Sequence, residues 1–172
     1  MERVMNSATA RPGTALAVLG VIGGSEGAAD GFLAAMRLSC RGVRTVNLGT
    51  GVSLERAATV LARRPDAQAL LLVAGAPGPA LVRGLVDLPW LLATGGLNRP
   101  VIVGGSPGSG GTEGSRSGDP GATTAGRLLG LGVTQVLPDL ADAAQLLLSR
   151  AGPPGAAPSG EKPDDRYSHT RG

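Results

Sequence analysis

Apolar and polar positions alternate along this chain in blocks. Ala15 to Ile22 (ALAVLGVI) is an unbroken apolar run, as in a strand buried on both faces. A helical stretch follows, in which Phe32, Ala35, Met36 and Cys40 share one face. Val43 to Leu48 reads as a second strand. Leu54, Ala57, Ala58 and Leu61 then fall at helical spacing, with Ser53 placed to cap the amino end. Ala69 to Ala74 is the third strand. Pro79 to Leu92 is helical, with a break expected near Pro89, which has no N–H to donate. Val101 to Val103 is a fourth strand that runs into Gly104 and Gly105. Thr123 to Leu131 is helical, and Val133 to Leu137 is a fifth strand. A last helix has Asp139 as its cap, Asp142 three residues on, and a stripe of Leu140, Ala143, Ala144, Leu147 and Leu148.

Strands that alternate with helices in this way predict a parallel sheet covered on both faces. Right-handed crossovers and short links leave few topologies. For five units the expected fold is α/β, a three-layer, flavodoxin-like doubly wound sheet in the order 2-1-3-4-5. That order places a ligand crevice outside the carboxyl ends of the first and third strands. The loops expected to build it are Gly23 to Gly27, Gly75 to Pro79 and Gly104 to Ser106, all rich in glycine.

The expected domain is 14–151. Residues 1–13 and 152–172 are expected to be disordered, the second being rich in Pro and Gly and poor in apolar residues. The Gly/Ser-rich stretch 106–121 reads as a long loop inside the domain. No run of apolar residues is long enough to span a membrane, and the opening residues lack the pattern of a secretion signal, so the expected location is cytoplasmic.

Composition narrows the chemistry. The sequence pI is near 10, yet the net charge is only +3 and aromatic residues make up 2% of the chain. Scattered charge with few stacking rings does not read as a nucleic-acid footprint. One cysteine, Cys40, and one histidine, His169, exclude both a disulfide framework and a Cys/His metal cluster within one chain. A phosphoacceptor domain lacks its carboxylates here, and the only lysine is Lys162 in the tail. A flavin site lacks aromatic walls. Gly20 to Gly27 does not have dinucleotide-binding spacing, and no P-loop lysine is present. Gly23-Gly-Ser-Glu-Gly27 matches a nucleophile elbow, but the string recurs at Gly104 to Gly108 and no positioned base accompanies it.

Several of these segments resemble cobalamin (vitamin B12)-binding domains, and in particular the small subunit of glutamate (methylaspartate) mutase. They are Leu16-Ala-Val-Leu-Gly-Val-Ile-Gly23, Gly42-Val-Arg-Thr-Val-Asn-Leu-Gly49, Val52-Ser-Leu-Glu55, Asp66-Ala-Gln-Ala-Leu-Leu-Leu-Val73, Val101-Ile-Val-Gly-Gly105 and Leu131-Gly-Val-Thr-Gln-Val-Leu-Pro138. The resemblance implies the same five-unit fold and a cobalamin cofactor, in the adenosylcobalamin form. It also implies a separate TIM-barrel mutase subunit as partner in a radical carbon-skeleton rearrangement.

The family marks its cofactor site with D-x-H-x-x-G, S-x-L and G-G. Here Ser25, Gly27 and Asp30 stand at the first motif, Val73, Ala74 and Gly75 at the second, and Gly104 and Gly105 keep the third. The histidine that ligates cobalt is thus replaced by Gly27, and no other histidine lies within the domain. Two readings stay open. Either corrinoid binds without a protein ligand, on Gly23, Gly24, Ser25, Gly27, Gly75, Gly104, Gly105 and Ser106, or the cofactor is lost and the domain serves as a docking or regulatory subunit. No residue stands out as acid, base or nucleophile, so the chain is not expected to be catalytic by itself.

Overall fold

The computed structural model describes residues 15–75, 78–105 and 124–150. The expectations for 1–13, 106–121 and 152–172, and for Ser106 and His169, lie outside the described residues.

Five strands, β1 (Leu16–Ile22), β2 (Arg44–Thr50), β3 (Ala69–Ala74), β4 (Val101–Gly104) and β5 (Gln135–Leu137), form one parallel sheet in the order β2-β1-β3-β4-β5. Around them stand α1 (Ala28–Cys40), α2 (Leu54–Ala62), α3 (Gly78–Gly84), α4 (Leu88–Ala93), α5 (Thr124–Gly130) and α6 (Ala143–Arg150). The expected doubly wound topology is therefore the one observed. Alternate residues of the central strands feed two cores. Leu16, Val18, Leu70 and Leu72 pack toward α2, α3, α4 and α5, while Ala17, Leu19, Leu71 and Val73 pack toward α1 and α6. Burial on both faces is why these strands read as continuous apolar runs.

Local signals place the helix ends. Ser53 Oγ accepts from the amide of Arg56 at 3.3 Å and caps α2. Asp139 Oδ1 accepts from the amide of Ala141 at 2.9 Å and caps the 3-10 turn that leads into α6. The break in the third helical stretch falls between Gly84 and Leu88. It lies ahead of Pro89 because proline is tolerated in the first turn of α4, where its missing N–H has no partner to lose.

The two faces of α1 sort by residue size. Phe32, Met36 and Cys40 do share a side of α1, but it is the outer side, with Phe32 66% exposed. The inward positions are Gly31, Ala34 and Leu38. The cause is the small gap between helix and sheet. A methyl group added at Gly31 would lie 2.5 Å from Val21 Cγ2, so only the small-residue side of α1 fits against β1. Trp90, on α4, is also exposed.

Arginines on α1 tie it to the β5–α6 turn. Arg37 Nη1 lies 3.0 Å from Asp139 Oδ2, and Arg41 Nη1 donates to the Ala141 carbonyl at 2.6 Å and to Asp142 Oδ1 at 3.2 Å. Elsewhere Arg64 and Asp66 form a two-pronged pair, 3.0 Å in each arm. The hydrogen bonds from Arg64 hold the Asp66 carboxyl below the usual carboxylate range, against a small opposing effect of burial.

Two substitutions should separate these roles. Asp139→Ala removes a cap and an ion pair together and is expected to cost about 1–2 kcal/mol in urea unfolding followed by circular dichroism. Asp66→Asn breaks a pair whose side chains are 37% and 48% exposed, and should cost only a few tenths of a kcal/mol. Because the Asp66 pKa is lowered on folding, its small contribution holds at neutral pH. It fades only as pH falls through the lowered value.

Candidate functional site

The sheet order puts the switch point between β1 and β3, at their carboxyl ends. The loop after β1 starts at Gly23, whose φ of +119° is open to glycine and strained for other residues. Gly24 is extended and exposed, and nothing lies within 4 Å of where its Cβ would be. Ser25 is exposed and opens a 3-10 turn, Ser25–Gly27, whose last amide donates to the Gly24 carbonyl at 3.2 Å. These three residues form an open rim.

Behind the rim the chain closes on itself. Gly27 is buried at the amino end of α1. A methyl group there would lie 2.5 Å from Val21 Cγ1 and 2.9 Å from the Gly75 Cα. From the other side, one on Gly75 would lie 2.8 Å from the Gly27 Cα and 2.9 Å from Val21 Cγ1. The Gly75 amide also donates to the Ile22 carbonyl at 3.2 Å, which keeps the end of β3 joined to β1. Val21 therefore sits in a cup made of Gly27, Gly31 and Gly75.

The carboxyl end of β4 is closely packed as well. Gly104 is buried at the end of β4, and its missing side chain makes room for Leu140, whose Cβ, Cδ1 and Cα would lie 2.7–2.9 Å from an added methyl. Gly105 is half-buried and its amide donates to the Leu137 carbonyl at 3.3 Å. Asp30 stands in the first turn of α1, as expected, and is half-buried.

The structure thus splits the expected site. Gly24 and Ser25 are exposed, Gly23 and Gly105 are half-buried, and Gly27, Gly75 and Gly104 stand where neighbours approach too closely for a Cβ. The side chains of Val21 and Leu140, which the sequence pattern did not assign to the site, occupy the space those glycines leave. One signal was available: Gly27 and Gly31 are four residues apart and so face the same side of one helix. A polar hollow does exist on the opposite, amino edge of the sheet, lined by Asp66, Gln68, Asn98, Arg99 and Arg150 among others. There the buried Oε1 of Gln68 has no hydrogen-bond partner. This hollow is at the wrong end of the strands for the switch-point crevice.

No protein-family model matches the chain, and no curated protein does. Solved structures do match it in fold. A cobalamin-binding protein from Desulfitobacterium hafniense DCB-2 superposes with a TM-score of 0.58 at 16% identity, covering 81% of this chain and 60% of that one. The monomethylamine corrinoid protein of Methanosarcina barkeri gives 0.58 at 17%, covering 79% and 57%. The methanol:cobalamin methyltransferase complex from the same organism gives 0.60 at 18%, covering 84% and 49%. At these identities the likeness is one of fold. The chain spans about half to three-fifths of the length of these proteins.

The residues present do not fit a histidine-ligated cobalamin. The position that the sequence resemblance sets at the ligand is Gly27, which has no donor side chain and is buried against Val21 and Gly75. Among the described residues no cluster of His, Cys, Asp or Glu is placed to hold a metal ion. No helix among them is long and apolar enough to cross a membrane.

Gly75→Ala should confirm the tight approach of the two loops. It is expected to destabilise by about 1–3 kcal/mol, as overpacking does. Gly24→Ala, facing open space at an ordinary φ of −76°, should change stability by less than about 0.5 kcal/mol. Urea midpoints compare the two directly.

Proposed function

We propose that this chain is a docking subunit of the cobalamin-domain type, which works on a separate catalytic protein through the carboxyl edge of its sheet and does so without ligating cobalt. The observation that carries this reading is the contrast within one edge. The rim Gly23-Gly24-Ser25 is open, while the crevice behind it is packed by Val21, Gly27 and Gly75. Among the described residues, an exposed rim backed by close-packed backbone suits contact with another protein surface better than capture of a small molecule, which needs concavity.

The fold it shares with corrinoid proteins, one of them in a methyltransferase complex, supports a partner enzyme. The sequence resemblance to the small subunit of glutamate mutase supports a TIM-barrel mutase subunit as that partner. Fold alone does not transfer an activity, so the partner's chemistry is argued from the resemblance only.

A second reading has one observation in its favour. The open space over Gly24 and the exposed Ser25 hydroxyl leave room for a corrin ring to lie on the rim, without any axial ligand from this chain.

Both readings are tested by sedimentation of the chain with a TIM-barrel mutase large subunit. A complex that forms without corrin supports docking, and Gly24→Arg should weaken it by about tenfold or more while leaving the urea midpoint unchanged. A complex that appears only after hydroxocobalamin is added favours the second reading. No complex under either condition overturns docking on a barrel subunit.

A further inference from the structure

We infer that the Gly27–Val21–Gly75 contact is a backbone lock, which closes the switch-point crevice against any inserted planar group, so that the nucleotide tail of a corrinoid has no place in this chain. Carbon atoms in contact sit about 3.5–4.0 Å apart, so a ring held between two walls needs them roughly 7–8 Å apart. Here a single added methyl already lies 2.8 Å from the facing backbone. The walls touch each other.

Opening the gap is costly in three places at once. The Gly75 amide, shared between the Ile22 carbonyl at 3.2 Å and the Val73 carbonyl at 3.1 Å, would leave Ile22, and the tie between β3 and β1 at that point would be lost. Val21, 1% exposed, would lose its glycine cup and face a void. The amino end of α1, which approaches β1 through Gly27 and Gly31, would have to lift away from the sheet.

On this view Gly27 is not an empty ligand position awaiting a histidine. It is a core residue whose missing side chain makes the lock possible. A longer side chain at 27 meets Val21, which is branched at Cβ and cannot swing clear.

The inference stands apart from partner docking, because it concerns the isolated chain and is read by a different assay. The unmodified protein is titrated with hydroxocobalamin and with cobinamide, the same corrin ring without its nucleotide tail, and binding is followed by absorbance. A tail that finds no pocket adds no affinity, so the two corrinoids should bind within about tenfold of each other, or neither should bind. Tighter binding of hydroxocobalamin by more than about tenfold would overturn the lock.

The double variant Ser25→Asp, Gly27→His gives a second measurement. It should melt at a lower temperature than the parent and show no histidine-ligated cobalt spectrum. Such a spectrum at an unchanged melting temperature also overturns the inference. If the variant does not fold, the comparison of the two corrinoids on the unmodified protein still decides.

Discussion

The closeness with which backbone and helices approach the carboxyl half of β1 governs this structure. Three consecutive residues of that strand each meet a neighbour across a glycine. Gly20 makes room for Val52, Val21 lies in the cup of Gly27, Gly31 and Gly75, and Ile22 packs where Gly84 of α3 has no side chain. This inner strand, at the switch point of the sheet, is thereby gripped from both faces where such folds usually open a crevice. The seating of α1 against β1 and the place of Gly75 at the end of β3 follow from that grip. Far from this point, the ties of Arg37 and Arg41 to Asp139, Ala141 and Asp142 hold the other end of α1 against the β5–α6 turn.

Much of the fold was legible because buried parallel strands announce themselves as runs such as ALAVLGVI and ALLLVA, and because Ser53 and Asp139 mark helix starts through a local hydrogen bond. The pattern showed that Phe32, Met36 and Cys40 share a face of α1 but not which face meets the sheet, because amphipathic patterning gives weight to large residues. Phe32 and Met36 outweigh Gly31 and Ala34 on any hydrophobic scale, yet only the small side fits the gap over Val21. The end of the third helical stretch differed by a few residues because Pro89 takes a place in a first turn that a mid-helix proline could not.

The candidate site was legible in position and not in role. Glycine-rich loops at three strand ends located the edge. Whether a glycine faces a ligand or a neighbouring backbone depends on tertiary approach, which no local pattern carries. Gly24 and Gly27, three residues apart, illustrate this: the first has nothing within 4 Å of its absent side chain, and the second has Val21 and Gly75 within 3 Å. The shared architecture with corrinoid proteins says where a site belongs in the sheet. The side chains that occupy that place say what it can hold.

Trp90 has a consequence for how the molecule reports on itself. It is the only tryptophan in the sequence, and it sits 63% exposed on α4, away from the sheet that carries the cooperative core. An indole so exposed should emit as one facing water, so optical signals from this residue follow what covers α4. They are nearly blind to the state of the strands.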